Sequence, residues 1–364
     1  MIVRHLYVHV PFCHRICPYC AFYKHQPNET SMKSLVDALL ADLAAKSQRF
    51  EIRPETIYFG GGTPTLLNQS ALSRLLDGIC AQLDLSELAE WSTEANPMTF
   101  DQKKAALLHS HGINRVSLGV QSWQPDLLTT LGRDHSPEQA LDSYHLLSDT
   151  GFSVVNLDLM FSLPGQSLET WEEDLLTTLD LKSQHISAYN LTYEEDTPFF
   201  EQLGKGNFRE DVDDNADHFY LADRLLTAAG LQHYEISNYA QPGCESLHNQ
   251  AYWAGKDYLG LGPSAVSTIG TQRWQNVPDT ARYTAEGAIA VNEETLSEAD
   301  LHNERVALML RTSQGIHLGT LTATSQKRAQ DLQSEGVLEF ADDHCRLTAR
   351  HRAMVDPVAA ELFI

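Results

Sequence analysis

Between residue 4 and about residue 230 the chain repeats one unit six times: a short strand-like run, then a longer stretch with helical periodicity. The strand-like runs are Leu6–Val10, Thr56–Phe59, Trp91–Ala95, Arg115–Val120, Val154–Met160 and His185–Leu191. The helical stretches that follow are Met32–Phe50, Ser70–Leu83, Asp101–His111, Pro137–Thr150, Leu168–Leu181 and Asp213–Ala229. Gly112, Gly151 and Gly230 stand where left-handed caps close helices, and Ser136-Pro137 places proline at a first helical position. Parallel strands need a crossover, and a helix supplies it. Six consecutive units therefore predict an α/β fold with a parallel sheet and outer helices. Six are too few for a closed eight-stranded barrel, so a partial barrel and an open doubly wound sheet both satisfy the pattern.

Beyond Gly230 comes one more strand-like run, Gln232–Tyr239, then a glycine-rich stretch read as irregular from Gln241 to about Tyr283. The tail reads helix (Ala299–Arg311), helix (Leu318–Glu335) and hairpin (Val337–Phe340 with Cys345–Thr348), an order similar to a small winged-helix-like module. The expected organisation is a βα domain over 1–235, a connecting segment over 236–296 and a C-terminal module over 297–364. A formal charge of −23 disfavours a nucleic-acid partner and a broad basic membrane-binding face. The tail holds ten acidic and seven basic residues, so it too is unsuited to DNA. No apolar run approaches the roughly 20 residues that span a bilayer. Met1 to Val10 is too short for a signal peptide, and a cytoplasmic address is expected.

Cys13, Cys17 and Cys20 follow directly on the first strand-like run, in the pattern C-x3-C-x2-C. Three thiolates are one short of a closed site, because structural zinc and most cubane clusters take four protein ligands. A [4Fe-4S] cube held by three leaves one iron open to a small chelating molecule. An odd cluster without a secretory signal argues against disulfides. Zinc with a distant fourth ligand, a histidine or Cys244, is the alternative. Cys80 and Cys345 read as packing residues.

Ligands of parallel βα folds sit at the C-terminal ends of the strands. The polar residues of this chain recur there: the cysteine loop, the run Gly60-Gly61-Gly62-Thr63-Pro64, Glu94 with Asn96, Gln121, and Asp158. Three consecutive glycines let backbone approach a ligand closely, and they lack the spacing of a dinucleotide fingerprint. Glu94 suits the two hydroxyls of a ribose, and Arg133 could fork onto a carboxylate. Asp158, between Leu157 and Leu159, is a buried or half-buried acid that needs a partner. An amino-acid end, a ribose and a base beside an open iron describe S-adenosylmethionine.

At this point the residues match a family. The cysteine triplet, Tyr19 before its last member and the Gly-Gly-Gly-Thr-Pro run resemble the radical S-adenosylmethionine (SAM) enzymes. Tyr7-Val8-His9-Val10-Pro11-Phe12-Cys13, Leu118-Gly119-Val120-Gln121-Ser122, and Asp158-Leu159-Met160 through Leu163-Pro164-Gly165-Gln166 are similar to the branch of anaerobic coproporphyrinogen III oxidases and their relatives. The resemblance covers nearly the whole chain. It implies a partial (β/α)6 barrel, cluster ligation by Cys13, Cys17 and Cys20, and SAM contacts from Tyr7, Tyr19, Gly61, Gly62, Thr63, Glu94, Gln121, Arg133 and Asp158. In the oxidase some equivalents serve a second SAM, so Gln121, Arg133 and Asp158 could hold that instead.

Two features separate the chain from the oxidase of that branch. Phe22 stands where the oxidase has a further cysteine, and Tyr7 lies almost at the start where the oxidase has an extension. His248-Asn249-Gln250-Ala251-Tyr252-Trp253 resembles the haem-binding signature of the haem chaperones in the branch. A neutral imidazole is a standard axial ligand, and aromatic side chains pack on a macrocycle. The resemblance thus implies haem at or near His248 and its transfer to haem-requiring acceptors such as respiratory enzymes. It also implies a low-potential electron donor, homodimer formation and transient membrane contact. No residue is assigned a catalytic role. The alternatives are oxidative decarboxylation of coproporphyrinogen III to protoporphyrinogen IX, or another radical reaction on a tetrapyrrole.

Overall fold

The computed structural model describes residues 2–364, the side chains of Glu29 and Thr30 apart; Met1, counted above in the segment Met1 to Val10 and in the first domain, lies outside them. Strands β1 (Ile2–Val10), β2 (Glu51–Gly61), β3 (Glu90–Ala95), β4 (Arg115–Gln121), β5 (Val154–Phe161) and β6 (His185–Asn190) lie side by side in chain order, all parallel. Between them run α1 (Glu29–Ser47), α2 (Gln69–Gln82), α3 (Gln102–Ser110), α4 (Pro125–Thr130), α5 (Pro137–Thr150) and α6 (Leu168–Asp180). After β6 come α7 (Pro198–Gly204) and α8 (Val212–Ala228). Side chains of Asn28, Asn68, Asp101, Ser136 and Ser167 each accept a backbone N–H of the first turn of the helix that follows. The Asn28 cap starts α1 three residues ahead of the expected Met32, and its last turn closes at Ser47 rather than Phe50.

The sheet's two faces differ sharply. Leu6, Val8, Val10, Ile57, Phe59, Trp91, Val116, Leu118, Leu157, Leu159 and Ile186 are fully buried in one core with the helices. Alternate residues (Tyr7, Tyr58, Ser92, Glu94, Ser117, Asn156, Asp158, Ser187 and Tyr189) point the other way, since strand side chains alternate with period two. Residues from β2 through β6 and the loop after β1 line a single cavity. The sheet therefore curls around a polar lumen as a partial barrel, which decides between the two arrangements the pattern allowed.

The chain after β6 differs from its expected form. Gln232–Tyr239 is not one strand but a tight pair, β7 (Gln232–Glu235) and β8 (Asn238–Ala240), with β8 antiparallel to β6. The stretch read as irregular is ordered into α9 (Leu247–Trp253), β9 (Leu259–Leu261), β10 (Val266–Ile269), β11 (Gln272–Asn276) and α10 (Thr280–Glu286). β9 pairs parallel with β1 and completes a nine-stranded sheet, while β10 and β11 form a separate antiparallel sheet with β12 (Ala290–Thr295). Its glycines mark close packing, not disorder: a Cβ on Gly260 would meet the Val266 carbonyl oxygen at 2.3 Å.

The C-terminal residues have a core of their own, built from Val306, Leu310, Ile316, Leu332, Leu338 and Leu347. It joins α11 (Glu298–Met309), β13 (Ile316–His317), α12 (Ala323–Ser334), β14 (Leu338–Ala341), β15 (His344–Leu347) and α13 (Val355–Ala360). Leu318–Thr320, expected as the start of the second helix, is a separate 3₁₀ turn, and α12 begins after the Thr322 cap.

The segment from Gln241 into α9 crosses the N-terminal ends of the strands and floors the lumen. Buried Glu90 accepts from Arg115 Nε (2.9 Å), from the Leu247 and His248 N–H groups (both 3.0 Å) and from Ser246 Oγ (3.2 Å). Arg115 Nη2 donates to the Cys244 and Glu245 carbonyls at 2.5 and 2.8 Å. A carboxylate at a helix N-terminus is favourable, and removing one partner of a buried pair typically costs about 3–5 kcal/mol. Glu90→Gln should lower the free energy of unfolding by about 3 kcal/mol, measurable as a lower urea midpoint at unchanged slope.

Candidate functional site

The cysteine loop is anchored at both ends. His25 N–H donates to the Pro11 carbonyl (2.8 Å) and Cys13 N–H to the His25 carbonyl (3.0 Å), so the loop leaves β1 and returns beside it. Cys20 N–H closes a turn onto the Cys17 carbonyl at 3.3 Å. Thr63 N–H reaches the Phe12 carbonyl at 2.7 Å, and Thr63 Oγ1 donates to Cys13 Sγ at 3.9 Å. Arg133 Nη1 approaches Cys17 Sγ at 3.7 Å. Burial pushes the Cys13 thiol up to about 11, the Thr63 hydroxyl partly opposing it, and burial also raises Cys20. Such thiols ionise readily only when a metal supplies the compensating charge.

All three cysteines line one cavity of about 390 Å³. Tyr19, Gly61, Gly62, Glu94, Gln121, Arg133 and Asp158 line it too, so ten of the thirteen sequence-derived positions share one space. Among the described residues, no three His, Cys, Asp or Glu side chains converge closely enough to hold a single ion. The three sulfurs share one cavity, where they could hold a cluster. Cys244, the alternative fourth ligand, lies at the opposite end of the strands, where Arg115 takes its carbonyl. All six cysteines are free thiols.

The glycine run packs closely against protein as well, while Gly61 and Gly62 line the cavity. A Cβ on Gly60 would meet Glu94 Oε1 at 2.9 Å, one on Gly61 the His9 ring at 2.3 Å, and one on Gly62 Phe12 backbone at 2.7 Å. Gly61 also has φ +103. The glycines bring the end of β2 against the cysteine loop and Glu94; ligand approach follows from that packing. Gln121 has φ +73 at the end of β4, where the register slips against β5, an unusual conformation at a site-lining residue.

Glu94 and Asp158 make the lumen acidic. Glu94 accepts from Tyr58 Oη (2.9 Å) and Gly61 N–H (3.1 Å), and burial pushes its carboxyl up to about 7. Asp158 has the partners its burial demands, Ser117 Oγ at 2.9 Å and Asn156 Nδ2 at 2.8 Å, and burial raises it to about 6. Arg133 does not fork onto a protein carboxylate; Nη2 donates to Asn96 Oδ1 (2.7 Å) and the Gly119 carbonyl (2.6 Å).

A family model for the Radical SAM superfamily matches residues 7–177. The heme chaperone HemW of Mycobacterium tuberculosis is 38% identical over 370 aligned positions, covering 98% of this chain and 94% of that protein. The chain belongs to the HemW family of radical SAM proteins. HemW of Escherichia coli is 42% identical, over 72% of this chain and 70% of its own length. Among solved structures, the coproporphyrinogen III oxidase HemN of Escherichia coli, described as a radical SAM enzyme, superposes with a TM-score of 0.85. That match covers 99% of this chain and 90% of HemN, at 22% identity, and so concerns the fold.

Three positions stand apart from the cavity of this HemW-family chain. Thr63 is buried behind it, bonded to Cys13 and accepting from Asn96 Nδ2 at 2.9 Å. Tyr7 stacks on Tyr58 at 6.2 Å and bonds His9. His248 lies on α9 at the floor, far down the lumen from the cysteines. Its Nδ1 is 2.8 Å from Thr56 Oγ1, its ring stacks on Tyr58 at 5.1 Å, and burial lowers it to about 3. Tyr252 and Trp253 do not share its direction: Tyr252 lies against Tyr258 and Trp253 lines another cavity.

Residues the sequence reading passed over are Tyr58, Ser117, Met160 and Tyr189, all lining the cavity. Their period-two alternation with Ile57, Phe59, Val116, Leu157 and Ala188 was a usable signal. Glu94 also carries a pH signature. Its folded-state carboxyl lies above the ordinary value, so it favours the fold while protonated and penalises it once ionised. The wild type thus loses stability between about pH 4.5 and about pH 7. Glu94→Gln cannot titrate, so the melting temperature of the cofactor-free variant, relative to wild type, should rise across that window and level off above it.

Proposed function

We propose that this chain is a haem chaperone of the cytoplasm, taking up haem and passing it to haem-requiring acceptor proteins, respiratory enzymes among them. The observation that carries the reading is the 38% identity to a heme chaperone over 98% of the chain. The cavity geometry agrees with it. Cys13, Cys17 and Cys20 would hold a [4Fe-4S] cluster, and Tyr19, Gly61, Gly62, Glu94, Gln121, Arg133 and Asp158 would surround S-adenosylmethionine. Bound together, these groups supply low-potential electron transfer to a sulfonium. The chain's own contribution is to seat them: Thr63 and Arg133 donate toward cysteine sulfur, Glu94 offers acceptor oxygens, and the two acids place negative charge near a cationic ligand.

Two observations separate haem uptake from porphyrin oxidation. Phe22, 68% exposed, stands beside the triplet where the oxidase resemblance calls for another cysteine. The α9 motif lies at the far end of the lumen from the cysteines, so a haem held near it need not enter the SAM cavity. Transient membrane contact and pairing of two copies belong to the same reading; among the described residues no helix is long and apolar enough to cross a membrane.

Anaerobic reconstitution followed by haem titration and a coproporphyrinogen assay on one sample tests the proposal. Haem binding should appear as a Soret shift, without protoporphyrinogen. Cys13→Ala should abolish the iron–sulfur absorbance and leave the haem titration within about twofold of wild type, since well-separated sites are nearly additive. Protoporphyrinogen formation by the reconstituted wild type would overturn the chaperone reading.

A further inference from the structure

A second cavity, of about 650 Å³, opens beneath the barrel between β1, β2, α9 and the end of α11. Its size is within the usual range for small-molecule sites, about 300–1,000 Å³. Trp253 and Met309 face it, as do His5, Lys256 and Glu235. Glu235 is 2% exposed; Asn238, the Ser237 N–H and Trp253 lie near its carboxylate and favour the ionised form, but none of them makes a well-formed hydrogen bond to it. A buried acid with only weakly formed contacts in a cavity wall has bonding capacity left for a ligand. Burial pushes it up to about 7, so it can donate a hydrogen bond as a neutral acid. Glu55 and Glu87, also in the wall, are both paired with Arg4. A flat apolar ligand with carboxylate arms suits an aromatic and thioether wall, a lysine and a protonated acid.

The nitrogen this cavity can reach belongs to His5, not to the motif histidine. His5 lines the cavity, and among the described residues nothing is bonded to its Nε2. Its Nδ1 is 3.0 Å from Thr56 Oγ1. The same hydroxyl oxygen is 2.8 Å from His248 Nδ1. Thr56 has one proton to give. When it gives that proton to His248, His5 must donate its own Nδ1–H to the oxygen, and His5 Nε2 then carries the free lone pair. This is the usual arrangement of a haem-ligating histidine, in which the second ring nitrogen donates to a neighbour and fixes the tautomer. His248 lines neither this cavity nor the cysteine cavity and packs flat on Tyr58.

We propose that haem binds in the cavity between α9 and α11 with His5 Nε2 as its axial nitrogen, and that His248 is a positioning residue acting through Thr56. This rests on the haem-chaperone reading and names the ligand that reading lacks. The test compares wild type, His5→Gly, His5→Asn and His248→Gly, titrated with ferric haem and followed by absorption and resonance Raman spectra. Wild type should give a histidine-ligated spectrum. His5→Gly should lose it, and added imidazole should restore it by filling the vacated space. His5→Asn keeps a polar partner for Thr56, so its urea midpoint should stay near wild type while ligation is lost. His248→Gly should keep histidine ligation with a shifted iron–histidine frequency and an affinity loss of about 10- to 100-fold, as when a hydrogen-bond partner behind a ligand is removed. A histidine-ligated spectrum in His5→Gly or His5→Asn overturns the proposal, as does imidazole rescue confined to His248→Gly; both leave the chaperone reading standing. Failure of wild type to bind haem overturns both.

Discussion

The constraint on which this molecule depends is the two-residue alternation of its six parallel strands. Every second side chain must pack on the outer helices, so Leu, Val, Ile and Phe occupy those positions and are fully buried there. The remaining positions face each other across a narrow lumen and are polar. Polar groups out of contact with bulk water need partners. The lumen answers with bonds among its own residues: Asn156 joins Ser117, Asp158 and Ser187, and Tyr58 joins Glu94. At the floor it answers with a segment from elsewhere in the chain. Glu90 and Arg115, the first residues of β3 and β4, pair with each other, but without the backbone of residues 244–248 the rest of their hydrogen-bonding capacity would be buried and unmet.

That floor segment gives the lumen two ends with different chemistry joined by one strand. On β2, Thr56 meets the floor histidines, and Tyr58, two residues on, stacks on His248 and bonds Glu94 at the rim. A displacement of His248 therefore changes the environment of the hydroxyl that holds Glu94. Coupling between distant sites needs a physically continuous element that both can bias, and β2 with its inward side chains is such an element. The rim itself is electrostatically one-sided. Glu94 and Asp158 are both pushed above the usual carboxylate range by burial, and Glu94 is further raised by the Asp158 charge. A cationic ligand relieves that strain, so its binding and the ionisation of these acids reinforce each other.

Much of this was legible in the sequence, for reasons that differ by region. The six βα units were readable because strands buried on one face carry unambiguous alternation and their helices carry cap residues at the right places. The cysteine loop and most of the rim were readable because strand C-termini are where such folds place ligands. The glycines of 60–62 were legible as a place of close approach, and two of them line the cavity; that the run also packs on His9, Phe12 and Glu94 is what spacing alone does not reveal. Residues 241–283 were misread because β9 is three residues long and its strand character exists only through its pairing with β1. The position of His248 was invisible for a similar reason. A seven-residue helix has no preference of its own about which end of a barrel it closes; Glu90, more than 150 residues earlier, decides it.

The cavity beneath the floor is walled jointly by the barrel and by residues at the start of the C-terminal part. The core of that part is separate from that of the barrel. Polar contacts cross the seam between the two, where Ile236 also packs against both cores: Ser313 N–H donates to the Tyr234 carbonyl at 3.0 Å, Tyr220 Oη to the Arg350 carbonyl at 2.6 Å, and Arg352 pairs with Asp223 at 3.4 Å. Polar seams between independently cored bodies part more easily than apolar ones, because water can replace the bonds that are lost. A bulky cargo cannot cross a close-packed barrel wall, whereas it can enter along a seam that opens without disturbing either core. Met309 and Thr312 line one side of the cavity and Tyr234 and Glu235 the other, so a haem held there as proposed would lie at that seam. If haem occupies this cavity as proposed, a hydrogen bond between it and the buried Glu235 carboxyl would make the closed, loaded seam more stable than the closed, empty one.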